Sequence, residues 1–310
     1  MVNVTSFVTE FILLGFPELH GLKMPFFTIL LVMYLLTITG NSLIIVIVCM
    51  EPMLHTPMYF FLVNFSIAGI CVTTTEVPKM VFNGFSGKTT ICFACCMAQG
   101  FIVFAVGTVE FITLTVMSFD RYIAICKPLL YKTIMTNRLC LNLTLMSWVV
   151  GFGIIFSQSI VVWTFPFCEN NVIHHFFCDV GPVLKLACAD ISLIELIGLI
   201  YGATFMWGSF GLSLISYTCI IATIIRIPSA TGRSKAFFTC SSHLTVITMF
   251  YLVLMFMYLR PSTHGNTQVN KALSIVHTSF IPLLNPFIYT IRNKDFKAAL
   301  QKNVQRRIPF

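Results

Sequence analysis

Side chains that could do chemistry gather at a few places in this chain. Between Cys168 and Cys188 runs His174-His175-Phe176-Phe177-Cys178-Asp179. Its imidazoles, thiol and carboxylate suit a transition metal by ligand type. Oxidising surroundings favour a bridged Cys178 and two solvated histidines instead, so no metal and no cofactor are expected. Glu110 lies in the middle of an apolar stretch. An acid at that depth in a bilayer costs about 2.5–3.5 kcal/mol, so it must face the interior and be paired or protonated. It would serve as an ion or proton site, or as a neutral acid bonded between helices. Asp120-Arg121-Tyr122 sets a permanently charged guanidinium beside a carboxylate. Asn285-Pro286-Phe287-Ile288-Tyr289 puts a helix-kinking proline beside an amide able to bond the carbonyls it frees. His243 and His277 stand singly, with no partner that would make a nucleophile and base, so no enzyme is expected.

Composition says what must position these groups. Of 310 residues, 57% are hydrophobic and 10% charged, and mean hydropathy is +0.90. A soluble domain carries about 25% charge. Soluble enzymes, nucleic-acid-binding modules and disordered chains are thereby excluded. Seven runs lack Asp, Glu, Lys and Arg: Met24–Met50, Pro52–Thr75, Thr89–Val109, Leu139–Cys168, Leu196–Ile225, Ala236–Leu259 and Ala272–Ile291. About 20 apolar residues span a bilayer core as a helix, and lipid satisfies no open backbone. The third run continues past Glu110 through Phe111–Phe119. The expectation is an all-α membrane protein: a seven-transmembrane helix bundle with a short amphipathic C-terminal helix over Arg292–Leu300. A transporter should show inverted repeats or paired polar midplane sites, and neither is visible.

Charge sets the orientation. Net charge is +8. One side, with Glu51, the loops 120–138 and 226–235 and the tail from Arg292, holds 13 Lys and Arg against 3 acids. The rest holds 6 against 8. The basic side is expected to be cytoplasmic and suited to anionic lipid headgroups. The chain is then one domain over 1–310: an extracellular N-terminus at 1–23, the bundle at 24–291 and a cytoplasmic tail at 292–310. The first ten residues lack the features of a cleaved signal peptide. Asn3-Val4-Thr5 is a glycosylation sequon on the outer side. Six of the 12 cysteines (Cys92, Cys95, Cys96, Cys168, Cys178 and Cys188) fall outside. Their count leaves 15 pairings open.

These features together resemble a known family. Gly40-Asn41, Asp120-Arg121-Tyr122, Trp148 and the Asn285–Tyr289 motif are similar to those of rhodopsin-like G-protein-coupled receptors. Five longer strings resemble odorant (olfactory) receptors: Leu54–Leu62, Pro78-Lys79-Met80, Met117–Tyr131, Ser234–Leu244 and Pro282–Asp295. The loop around His174–Asp179 resembles the tetrapod-type branch.

The resemblance implies disulfides Cys96–Cys178 and Cys168–Cys188, with Cys92 and Cys95 free. It implies a small, neutral, mostly apolar volatile ligand in an outer pocket. That pocket would be lined by Val103, Phe104, Gly107, Thr108, Tyr201, Phe205, Tyr251, Leu254 and Tyr258, with Thr278 at its edge. Val103 offers no acid where amine receptors of the wider superfamily keep one. Arg121 would be the switch, held by Asp120 at rest and met by Tyr217 and Tyr289 on activation. The implied partner is a stimulatory heterotrimeric G protein of the olfactory type, raising cyclic AMP at the plasma membrane. A chemosensory role outside olfaction is the alternative, and a small-molecule transporter the remote one. One departure concerns Gly69, which stands where the superfamily keeps a helix-two acid of an internal sodium site. Glu110 is then expected to be neutral and bonded to Ser66 or Asn285.

Overall fold

The computed structural model describes residues 8–167, 171–258, 267–291 and 294–307. Asn3 and Cys168 lie outside the described residues, and so do the side chains of Tyr258 and Tyr289. Six described helices are long and apolar enough to cross a membrane. They are α1 (Lys23–Met50), α2 (Pro57–Ser86), α3 (Phe93–Cys126), α4 (Asn137–Trp163), α5 (Ser192–Ile225) and α6 (Ala230–Tyr258). The seventh, α7, is built from three pieces: Thr267–Ile275, a π-helical turn at Val276–Phe280, and Ile281–Ile291. A final helix, α8, covers Lys294–Arg307. The protein is a multi-pass membrane protein built as a seven-helix bundle.

Burial sorts the helices by what each faces. On α3 the residues from Ala105 to Ser118 supply a continuous buried stripe, including Val109, Leu114 and Met117 at 0% exposure. By contrast α4 and α5 present large apolar side chains outward, with Val149 66% and Leu199 70% exposed. Such surfaces would be untenable in water and are ordinary against lipid. The packed centre joins Phe61, Phe65, Leu114, Met117, Phe250 and Tyr251 across the helices.

α7 shows how two prolines shape a helix. Pro286 has no N–H to give the carbonyl of Pro282, and Pro282 has none for the carbonyl of Thr278. Side chains from other helices fill both gaps. Asn41 Nδ2 of α1 donates to the Pro282 carbonyl at 3.1 Å. Thr73 Oγ1 of α2 lies 3.1 Å from the Thr278 carbonyl as its donor. The sequence reading assigns this role to Asn285; among the described hydrogen bonds it is Asn41 that reaches the freed carbonyl. Gly40 makes the approach possible, since a Cβ there would sit 2.9 Å from the Pro286 ring. The π turn directly precedes Pro282, where a proline crowds the preceding turn.

Two features escaped the sequence reading. The outer end carries a small three-stranded sheet of β1 (Glu10–Leu13), β2 (Thr90–Cys92) and β3 (Val172–Ile173), in order β2-β1-β3. β1 runs antiparallel to β2 and parallel to β3, so the N-terminal segment is stitched to the start of α3 and to the long loop. The span expected to stop at Thr75 also continues through Glu76 to Ser86. Counting charges ended that run early, whereas a helix carries one acid onward when its neighbours bury it.

At the end opposite the sheet, α8 buries Phe296 and Ala299. It is tied to the end of α1 by Glu51, which accepts from Lys302 Nζ and Asn303 Nδ2, each at 2.8 Å.

Candidate functional site

In the outer half of the bundle, α3 and α5 meet through two hydroxyls. Thr108 Oγ1 donates to the Phe104 carbonyl at 2.8 Å, one turn back. Its proton is thereby used, so the Tyr201 hydroxyl donates to Thr108 in the short bond between them. The Tyr201 ring lies against Phe205 with centroids 4.6 Å apart. A Cβ on Gly107 would meet nothing within 4 Å, so space remains beside α3. Tyr251 and Leu254 of α6 are buried beneath. The Tyr251 ring is held by Phe111, Phe210 and Phe250, with centroids 5.9, 5.2 and 5.8 Å away. Its hydroxyl points toward Thr115, Ser209 and Ser213.

Not every expected lining residue belongs to this group. Val103, like Ile275 of α7, packs against a cluster that contains Val77 and Met80 of α2 and Phe176 and Phe177 of the long loop. Thr278 sits buried on the π turn, facing α2. These two lie toward α2, α7 and the loop, away from the Thr108–Tyr201 pair. The side chain of Tyr258 lies outside the described residues.

The loop forms a lid over both regions. Cys178 is joined to Cys96 at the outer end of α3. Beside that bond, Gln99 accepts from the Cys178 N–H at 3.0 Å and donates to the Thr75 carbonyl at 2.9 Å. Gln99 was missed by sequence reasoning, because a lone glutamine in a helix carries no pattern. The expectation of free Cys92 and Cys95 is corrected: the two are bonded to each other. One turn of helix brings their sulfurs together. Cys188 is also a disulfide cysteine, and its expected partner Cys168 lies outside the described residues. The Cys188 N–H donates to the Pro166 carbonyl at 2.8 Å, fixing the two ends of the loop side by side.

His175 is 4% exposed and lies against Phe176 and Phe177. Burial, then the nearby Lys271 ammonium, pushes its imidazole down to about 3, so it is neutral. Burial raises the Asp179 carboxyl to about 6, against backbone N–H bonds from Gly181 and Val180 that lower it. Among the described residues no cluster of His, Cys, Asp and Glu is arranged to hold a metal.

The intramembrane acids differ from expectation. Glu110 is buried, but neither Ser66 nor Asn285 bonds it: the Ser66 hydroxyl and the Asn285 carbonyl oxygen are both without partners. Gly69 lies against Pro282, with a would-be Cβ 3.6 Å from that ring. Glu110 is also not the single deep acid, since Glu76 on α2 is 0% exposed.

At the end of the bundle opposite the sheet, Arg121 is clamped to Asp120 through Nη2 at 2.8 Å and Nε at 3.2 Å. Tyr131 donates to the other Asp120 oxygen at 2.8 Å. Burial, then the Asp120 charge beside it, pushes the Tyr131 phenol up and keeps its proton on. Tyr217 of α5 is bonded to His243 Nδ1 of α6 at 2.6 Å. Cys240 and His243 of α6 lie within electrostatic reach of Arg121. The side chain of Tyr289 lies outside the described residues.

This arrangement is a loop-covered end of the bundle with an arginine latched to its neighbouring aspartate at the other end. Comparisons with known proteins agree in kind. A family model described as olfactory receptor matches residues 30–307. The chain is 54% identical to human "Olfactory receptor 6X1" over 295 residues, 95% of each chain. It is 44% identical to human "Olfactory receptor 6C4", covering 99% of each. It is also 44% identical to mouse "Olfactory receptor 6E1", covering 99% of this chain and 98% of the other. With seven helices, a loop bonded onto α3 and these relatives along almost its whole length, the chain belongs to the olfactory receptor family, which is not a family of enzymes.

Proposed function

We propose that the protein is an odorant receptor of the plasma membrane, with residues 1–23 outside, Asn3 glycosylated and Cys168 paired with Cys188. A small, mostly apolar volatile ligand binds between α3, α5 and α6. Phe104, Gly107 and Phe205 supply apolar walls, Thr108, Tyr201 and Tyr258 polar handles, and Tyr251 and Leu254 the floor. A few hydrogen-bonding groups in an apolar cavity are the usual recipe for such a site. The ligand acts by binding the active arrangement more tightly than the resting one. On activation α6 moves away from α3 at the cytoplasmic end. Arg121 leaves Asp120 and is met by Tyr217 and Tyr289. The basic cytoplasmic face then engages a stimulatory, olfactory-type G protein, and cyclic AMP rises.

One observation carries the reading. Arg121, held by Asp120 and indirectly by Tyr131, lies beside the α6 residues Cys240 and His243. A charged switch locked against the helix that must move is what a resting receptor requires. The test is a cyclic AMP reporter in cells displaying the receptor, challenged with a broad odorant panel. A dose-dependent response that Arg121→Ala abolishes at equal surface display is expected. Silence toward the whole panel at good display overturns the reading.

A further inference from the structure

Glu76 has no part in the mechanism above. It is 0% exposed, and among the described residues neither carboxylate oxygen has a hydrogen-bond partner. The described ion pairs are Arg121 with Asp120 and Lys302 with Glu51, so no described cation neutralises it. Buried polar groups are almost always bonded, and an orphaned one costs more the drier its surroundings. Glu76 faces Thr278, and its neighbours Val77 and Met80 belong to the cluster against which Val103 packs. The Glu76 carboxylate faces the Thr278 hydroxyl, which makes no hydrogen bond of normal geometry, and the adjacent Ser279 hydroxyl is equally unpartnered. Both hydroxyls sit on the π turn of α7, a distortion often found at functional sites.

The electrostatics point one way. Among the described residues the ionisable groups within electrostatic reach of Glu76 are two further acids, Asp179 of the loop and Glu110 on α3. Lys271, in the first piece of α7, is engaged elsewhere: its ammonium donates to the Gly15 carbonyl and lies 5.7 Å over the Phe16 ring. Next to Glu76, Val77 and Met80 join Phe176 and Phe177 in an apolar roof.

We propose that Glu76 anchors a subsite for odorants bearing a basic nitrogen. The ammonium group sits on the Glu76 carboxylate, with Thr278 Oγ1 as a second acceptor, and the hydrocarbon tail lies against Val103, Phe176 and Phe177. A charge-assisted bond of this kind is roughly twice as strong as a neutral one, and a cation satisfies a buried carboxylate that a neutral ligand leaves uncompensated. The inference rests on the odorant-receptor reading and narrows its ligand class.

The test uses the full-length receptor in the same reporter cells, with matched series of linear primary amines and alcohols of equal chain length. The wild type should respond to amines with a potency at least about tenfold above the alcohols, the scale of a compensated buried charge. In Glu76→Gln the amine-to-alcohol potency ratio should collapse toward one, with surface display checked by antibody. Thr278→Val should lower the same ratio partway, which keeps the test open if Glu76→Gln is retained inside the cell. A wild-type ratio near one, or a ratio unmoved by both variants, overturns the subsite and leaves the receptor reading standing. Silence toward both series and toward the broad panel overturns both.

Discussion

At residue scale, single hydroxyls and missing side chains decide recognition. Thr108 spends its proton on its own helix, so Tyr201 must donate to it. Tyr201→Phe is therefore expected to weaken responses to oxygenated ligands by about 1 kcal/mol, the net worth of one hydrogen bond. In a double-mutant cycle with Thr108→Val, measured on dose curves, the two losses should be less than additive, since either change breaks the same bond. Gly107 makes a complementary prediction. A Cβ there meets open space, so Gly107→Val should be tolerated for surface display. It should selectively weaken bulky odorants while sparing small ones. Equal losses across ligand sizes would remove Gly107 from the pocket.

At element scale, α7 stands on donors borrowed from α1 and α2. Asn41 exists to cap the carbonyl that Pro286 frees. Asn41→Leu should destabilise the purified receptor by about 1–3 kcal/mol, the cost of an orphaned buried acceptor. The same change made in a Pro286→Ala background should cost less, because alanine restores the N–H that serves the Pro282 carbonyl. Melting curves of the four proteins check this. Gly40-Asn41 and the prolines were each visible in the sequence. The pairing between them was not, because which carbonyl is freed is local, while which side chain can reach it depends on how helices pack.

At the scale of the whole molecule, the outer lid couples the N-terminal strand, α3 and the long loop, and its ionisable groups give it a pH response. The folded-state pKa of His175 is depressed to about 3 from its ordinary 6.5. Its contribution is thus fully present above about 6.5 and is lost as pH falls toward 3, by on the order of 2 kcal/mol at pH 5. Asp179 works oppositely: raised to about 6, it adds stability as pH falls through 6 toward its unfolded value of 3.8. Asp179 is only partly buried, so solvent screens its share and His175 dominates. The melting temperature of the wild type should fall between pH 7 and pH 5. In His175→Gln that fall should shrink, and the buried His243 and half-buried His277 of the bundle supply what remains. The Cys96–Cys178 bond has the larger role: Cys178→Ser frees the lid from α3 and is expected to cost about 2–4 kcal/mol, seen as a loss of surface display.

The sequence by itself determined the solvent and the architecture. Seven charge-poor runs leave no stable alternative to seven helices in lipid, because transfer energies add along the chain. It also carried Asp120-Arg121 as a pair, since adjacent residues need no fold to meet. Only the tertiary structure decided the rest. The N-terminal strand joins β2 and β3 across 80 and 160 residues, a pairing that no local periodicity encodes. Cys92 bonds Cys95 because a helical turn places them so, whereas the cysteine count left 15 pairings open. Most telling are the acids. From composition Glu76 ended a span and Glu110 was the single deep carboxylate. Packing buries both, and leaves Glu76 unpartnered against α7, because burial and hydrogen bonding belong to the neighbours a residue meets rather than to the residue itself.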